Sequence, residues 1–334
     1  MTVEQVQLIY GGGSFISEVS NPSLSDVQAT LNQLHSHGIR AIDTAPIYDR
    51  SEELLGQAHA ADRFALATKF PGGFLPEPAT EEVLLAAAEE SLRKLQTDQI
   101  DIYYLHAPDR RAPLAPLLEA ITHLHRTNRI RRFGLSNFLP AEVDEVVRLV
   151  QANDYLRPTV YQGNYSAIAR GAETTGLLDT LRRHGIAFYA YSPIAGGLLA
   201  KEVEHESVTN RGRWDPATTL GGFYHALYNT PVMREGLRLW GAIAREAGLP
   251  PAELAYRWVV YHSALRGAHG DAILVGARNS GQLEQTLAAL RRGPLSDVVA
   301  ARVDGVWSVV AEAAPLDNYN NAVVRGMFGI GKEE

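Results

Sequence analysis

The chain has 334 residues and a mass of 36.5 kDa, with 46% hydrophobic and 21% charged residues, which excludes disorder and collagen and leaves a water-soluble globular protein with a large core. Its 31 basic and 38 acidic residues give a net charge of −7 with no polybasic run, so a small molecule is a better expected partner than nucleic acid or an anionic membrane. Cysteine is absent, which removes disulfides, thiolate chemistry and Cys-ligated zinc. No apolar stretch approaches the ~20 residues that span a bilayer, and Met1-Thr2-Val3-Glu4-Gln5 lacks a basic-then-apolar leader pattern. A cytoplasmic protein is therefore expected.

Apolar runs of strand length recur at 8–11, 41–43, 65–69, 100–106, 131–136, 159–162, 187–191 and 272–275. Segments of helical periodicity lie between them, among them 26–37, 81–95, 114–126, 140–150, 175–184 and 281–291. That alternation predicts parallel βα units, and eight of them predict a single-domain (β/α)8 TIM barrel over residues 1–334 with a C-terminal helical tail. Gly38 and Gly185 each sit where a helix should end before the next strand, as residues that take the left-handed C-cap conformation without strain. No Pro/Ser-rich linker, charge block or repeat divides the chain. The competing doubly wound sheet would need Gly-x-Gly-x-x-Gly after the first strand, and Gly11-Gly12-Gly13 does not have that spacing. Between Ile194 and Thr230 the pattern leaves a loop of about 40 residues, far longer than a normal βα connection. It carries Arg211, Arg213, Trp214, Phe223, Tyr224 and Tyr228, and is expected to close over the barrel mouth with Trp214, Tyr224 and Tyr228 as a substrate wall. A packed excursion covering apolar surface is the alternative.

Catalytic groups of a βα barrel come from the C-terminal ends of its strands. Strand two ends in Asp43 with Tyr48 just beyond, strand three in Lys69 and strand four in His106. Each has an innocent explanation: Asp43 as a turn cap, Tyr48 in a surface groove, His106 as a hydrogen-bonded core residue. Lys69 stands out, because only four of the 31 basic residues are lysine and this one follows the apolar run Phe64-Ala65-Leu66-Ala67. A buried ammonium needs a partner, which Asp43 would supply. A phenol beside an ammonium becomes a usable acid, and a neutral histidine can donate a hydrogen bond to a carbonyl oxygen. No metal is implied, no Gly-x-Ser-x-Gly elbow supports a hydrolase, and what the four groups lack is an electron source.

In these residues the chain resembles the aldo-keto reductases, (β/α)8 barrels that reduce carbonyls with a nicotinamide cofactor. Asp43-Thr44-Ala45 with Tyr48 and Ser51-Glu52, Ala67-Thr68-Lys69, and Tyr103 to Asp109 look like the family's signatures for the acid, the lysine and the histidine. The loop after Tyr48 is contracted to Asp49-Arg50. The resemblance implies that Ser136, Asn137 and Gln162 hold the nicotinamide carboxamide and that Tyr191 stacks on its ring. It further implies that Ser192, Pro193, Ala195, Gly196 and Gly197 open a pyrophosphate loop. Tyr155 to Tyr161, Ala195 to Leu199, and Gly267 to Asp271 look most like the aflatoxin-aldehyde reductase branch, which implies aldehyde and dicarbonyl substrates and often homodimers.

NADPH differs from NADH by a phosphate that needs a cation or a helix N-terminus. Arg278, in Gly276-Ala277-Arg278-Asn279 before a predicted helix, offers both. By resemblance Gln282, Gln285 and Thr286 border the adenosine, Thr286 replacing the family's usual asparagine, while Lys201 and Arg213 clasp the phosphates. The expected function is NADPH-dependent reduction of an aldehyde or ketone with Tyr48 as acid. A non-catalytic cofactor-binding subunit resembling channel β-subunits, and a lyase using Lys69 as a Schiff-base amine, are the alternatives.

Overall fold

A computed structural model describes residues 5–17, 19–201 and 214–321. Eight parallel strands close into a barrel in chain order: β1 (Gln7–Gly11), β2 (Ala41–Asp43), β3 (Ala65–Phe70), β4 (Ile100–Leu105), β5 (Ile130–Ser136), β6 (Pro158–Asn164), β7 (Ala187–Tyr191) and β8 (Ala272–Val275). Closure is made by β1 against β8, with Leu8 opposite Ile273 and Tyr10 opposite Val275. The helices outside are α1 (Leu24–Ser36), α2 (Ser51–Gln57), α3 (Glu81–Leu95), α4 (Leu114–Arg126), α5 (Pro140–Asn153), α6 (Gly171–Thr174) and α7 (Leu177–His184). After β7 come α8 (Thr219–Tyr228), α9 (Pro231–Glu246) and α10 (Pro251–Tyr261), and after β8 come α11 (Ser280–Leu290) and α12 (Asp297–Val310).

The pleat divides each strand between two cores. Ile42, Leu66, Phe133, Leu135, Phe188 and Ile273 face the helices, whereas Ile9, Ala67, Ile102, Tyr104, Val160, Tyr189, Ala272 and Leu274 fill the barrel. Helix starts follow local chemistry. Ser23 and Asp26 form a reciprocal capping box on α1, and Thr80, Thr230, Asn279 and Ser296 each accept a backbone N–H at the start of their helix. One buried carboxylate ties the closing strands to the outer layer. Asp271, fully buried, takes two bonds from Arg182 at 2.9 and 2.6 Å and the backbone N–H groups of Phe188 and Arg266 at 2.9 and 2.8 Å.

The eight expected strands form, with ends shifted by a residue or two, and most expected helices do too. Two readings need correction. The predicted helix 175–184 begins only at Leu177, because Gly176 is left-handed and separates it from the short α6. The long loop after β7 contains a helix, α8, hidden in the sequence by the pair Gly221-Gly222. Gly221 is there because a Cβ would stand 1.8 Å from the carbonyl oxygen of Asp215. Beyond α12, residues 311–319 are turns and irregular backbone and residues 320 and 321 are helical, the rest of the tail lying outside the described residues. Among the described residues no helix is long and apolar enough to cross a membrane.

Candidate active site

Strand ends put the four predicted groups together. Asp43 ends β2 and Lys69 lies one residue from the end of β3. Lys69 Nζ donates to Asp43 Oδ2 at 2.6 Å and to the carbonyl oxygen of Thr44 at 2.7 Å. Asp43 Oδ1 accepts from Gln162 Nε2 at 2.8 Å. Burial pushes the Asp43 carboxyl up and the Lys69 ammonium down, and their mutual attraction opposes both shifts. The contracted loop after β2 turns sharply at Asp49, which is left-handed, so that α2 starts two residues later. That turn sets Tyr48 with its ring centre 4.9 Å from Lys69 Nζ and 5.8 Å from the His106 ring. The loop is pinned from behind: Thr44 Oγ1 donates to Ser51 Oγ at 2.7 Å, and Ser51 Oγ to the Gly12 carbonyl oxygen at 3.1 Å. His106 follows β4, and burial, reinforced by the Lys69 charge, holds its imidazole neutral by driving its pKa well below the usual histidine value. Its Nδ1 is buried with no partner.

Beside this group β5, β6 and β7 deliver a polar shelf. Asn137, left-handed and 3% exposed, donates from Nδ2 to the His106 carbonyl oxygen at 2.8 Å and to Ser136 Oγ at 3.2 Å. Its Oδ1 accepts from the Tyr191 hydroxyl at 2.9 Å. Ser136, Asn137 and Tyr191 are thus linked to the His106 backbone, while Gln162 is bonded separately to Asp43.

After β7 the backbone turns through left-handed Ser192, Ala195, Gly196 and Gly197, with Pro193 buried between them. At Gly196 a Cβ would lie 2.2 Å from the Tyr224 ring, so glycine is needed there on both counts. The turn is held by Trp214 Nε1, which donates to the Gly196 carbonyl oxygen at 2.9 Å. Lys201, at its end, lies 4.7 Å from the Trp214 ring centre. Desolvation, and after it the Arg278 charge, lower the Lys201 ammonium to about 8. Two cations, one following β7 and one following β8, are therefore near enough for one to act on the other. Arg278 follows Gly276 on the loop into α11, which Asn279 caps, and its N–H donates to Gln282 Oε1 at 3.0 Å. Gln282 and Gln285 are exposed on α11 and Thr286 is buried. Arg211 and Arg213 lie outside the described residues.

The chain matches the profile of the Aldo/keto reductase family over residues 7–308. It belongs to that family. It is 38% identical over 287 residues to an oxidoreductase, sirO, of Leptosphaeria maculans, with 85% of this chain and 86% of that one covered. With human aflatoxin B1 aldehyde reductase member 4 it shares 35% identity (83% and 87% covered), and with human member 2, 36% (88% and 84% covered).

Within this aldo/keto reductase the expected aromatic wall lies elsewhere. Trp214, Tyr224 and Tyr228 are 2%, 4% and 0% exposed and pack on one another, with ring centres 5.5 to 6.3 Å apart. They form the core of the long excursion, because α8 turns its apolar face inward. The rings that stand around His106 are Tyr48 and Phe74, the latter 5.1 Å away and itself 5.1 Å from Tyr319. Tyr319 arrives from the C-terminal turn, where buried Asp317 accepts the N–H groups of Tyr319 and Asn320 at 2.8 and 2.6 Å. The same turn reaches the polar shelf. The Asn318 N–H donates to the Tyr191 hydroxyl at 3.0 Å and Asn320 Nδ2 to the Asn137 carbonyl oxygen at 3.0 Å. Sequence reasoning missed Phe74 and residues 317–320. The Asp317-Asn318-Tyr319-Asn320 run of turn formers was the one signal available.

Proposed function

We propose that the protein is an NADPH-dependent reductase of aldehydes or ketones in which Tyr48 protonates the carbonyl oxygen. The observation that carries this reading is a fully buried ammonium, Lys69, fixed between Asp43 and Thr44 with the Tyr48 ring 4.9 Å away and a neutral His106 alongside. Bound reduced nicotinamide would supply a hydride to the carbonyl carbon. The chain's own groups do the rest. Neutral His106 donates a hydrogen bond that orients the carbonyl oxygen and stabilises the charge growing on it. Tyr48 gives that oxygen its phenolic proton, and the Lys69 charge favours the phenolate left behind. Asp43 and Gln162 keep the ammonium charged and in place, while Phe74 and Tyr319 offer an apolar wall that excludes water.

The residues fit the cofactor. The shelf of Ser136, Asn137 and Gln162 offers donors and acceptors to a carboxamide, and Tyr191 offers a ring beside them. The left-handed turn from Ser192 to Gly197 exposes backbone to a pyrophosphate. The Arg278 charge is near enough to add to the desolvation that lowers the proton affinity of Lys201, a repulsion that an anion between the two cations would relieve, which supports a phosphorylated dinucleotide. Lys69 as a Schiff-base amine is disfavoured, because its Nζ is wholly buried and already engaged by Asp43 and Thr44. The intact set of four groups disfavours a purely regulatory subunit.

The deciding experiment mixes the protein with NADPH and a panel of aldehydes and dicarbonyls, then repeats it with Tyr48→Phe. Loss of reduction by ~10²-fold or more with NADPH binding retained is expected. Near-wild-type turnover by the variant would refute Tyr48 as the acid.

A further inference from the structure

The inner faces of barrel strands are ordinarily packed with bulky branched side chains. Here several inward positions toward the N-terminal ends of the strands are alanine: Ala41 on β2, Ala65 and Ala67 on β3, and Ala187 on β7. The consequence is a cavity of about 730 Å³ that opens on the face opposite the candidate active site. Its rim includes the exposed residues Gln7, Arg40 and Thr159, and its walls include Tyr189 and the Asp101–Arg132 ion pair. Its inner end is lined by Asp43, Gln162 and Tyr104. The volume holds many water molecules at the ~30 Å³ each occupies in the liquid, and the polar groups along it suit water. Asp43, bonded to Lys69 through Oδ2 and to Gln162 through Oδ1, thus stands between the Lys69 ammonium and the inner end of this shaft.

We propose that the shaft is the proton entry of the enzyme: water admitted through the floor of the barrel restores the proton that each turnover withdraws through Tyr48. The role rests on the reductase reading above; the shaft itself does not. When the Tyr48 O–H bond breaks, the new O–H bond forms on the product. One N–H of Lys69 then breaks to re-form the phenol, leaving a neutral amine. A hydronium in the shaft gives its proton to Asp43 and becomes water, and Asp43 passes that proton across the 2.6 Å contact to Lys69. No electrons move in these steps, and the carboxylate and ammonium end as they began. The arrangement lets the acid be recharged while cofactor and product still cover the mouth.

The absence of cysteine allows a clean test. Ala67→Cys, near-isosteric and level with Asp43 in the register, is exposed to methyl methanethiosulfonate with and without saturating NADPH. Modification at a rate that NADPH leaves unchanged is expected, as is slowing by about tenfold or more when Ala41→Leu or, independently, Ala187→Leu fills the shaft. Each plug is then placed in the cysteine-free chain and followed by rapid mixing. The first turnover should match wild type, because the resident proton is used, and later turnovers should be slower by about tenfold. A cysteine that does not react, or that NADPH protects, overturns the shaft as an entry from below. Plugged variants that fold and turn over steadily at the wild-type rate overturn its role in proton supply. Wild-type protein that reduces no carbonyl overturns the reductase reading, and the role with it, while the labelling still decides whether the shaft exists.

Discussion

Replacing Lys69 by methionine keeps most of the stem's volume and removes one charge at a fully buried position. Asp43 would lose its 2.6 Å partner and keep only the Gln162 bond at 2.8 Å. Removing one member of a buried pair costs ~3–5 kcal/mol when the other stays ionised. At ~2.1 cal/mol/K per residue the unfolding entropy of a chain this long is about 0.7 kcal/mol/K, so the melting temperature should fall by about 4–7 °C. The loss has a sign in pH. Burial already raises the Asp43 carboxyl, and Lys69 is the largest influence holding it down. Without Lys69 the folded-state pKa rises further above the unfolded value of ~3.9. Stability relative to wild type is then retained below the ordinary carboxylate value and lost as pH rises through the folded one. Scanning calorimetry of Lys69→Met from pH 5 to pH 8 should show the deficit growing with pH, and the double variant Lys69→Met with Asp43→Asn should recover most of it at pH 8. A deficit that is the same at every pH and persists in the double variant would refute the pair as its source. Carbonyl reduction should be lost in both.

Other outcomes follow from the same geometry. Arg278→Ala should weaken NADPH by ~1.5–3 kcal/mol and leave NADH nearly unchanged, as a charge-assisted bond to the extra phosphate requires; titration of nicotinamide fluorescence reads both, and equal losses would mean that Arg278 only shapes the loop. NADPH affinity should fall as pH rises through about 8, where Lys201 gives up its proton, and Arg278→Ala should move that fall to higher pH by removing the neighbouring charge; binding that is flat from pH 7 to 9 would exclude Lys201 from the anion site. Gly196→Ala should cost ~1–3 kcal/mol through the clash with Tyr224 and the left-handed backbone, and should weaken the cofactor with the turn; an unchanged melting temperature would count against this packing. Asp271→Asn leaves the Arg182 guanidinium facing a neutral amide, and a drop of ~3–5 kcal/mol in denaturant unfolding is expected, with the four groups around Tyr48 left in place.

What the sequence determined by itself was whatever depends on near neighbours along the chain. Apolar runs of strand length alternate with helical periodicity, so eight βα units and a closed barrel could be read directly. Gly38 and Gly185 mark helix ends because a left-handed C-cap is a local requirement. Asp43, Lys69 and His106 were legible because a strand end is a local feature and, in a closed parallel barrel, all such ends share one rim. The tertiary structure decided everything that depends on contact across the chain. Gly221 sits inside a helix because of its close approach to Asp215, a contact no local pattern shows, so α8 was hidden in a long loop and its aromatic residues were read as a wall when they are a core. Phe74 and the turn at 317–320 reach the site from nearly 250 residues apart, a meeting that no spacing encodes. Lys201 comes within the influence of the Arg278 charge because β7 and β8 are neighbours in the barrel. The hollow floor has the same origin: each alanine is an ordinary strand residue alone, and only barrel closure sets four of them around one space, since side-chain volume becomes a cavity when the opposing positions are known.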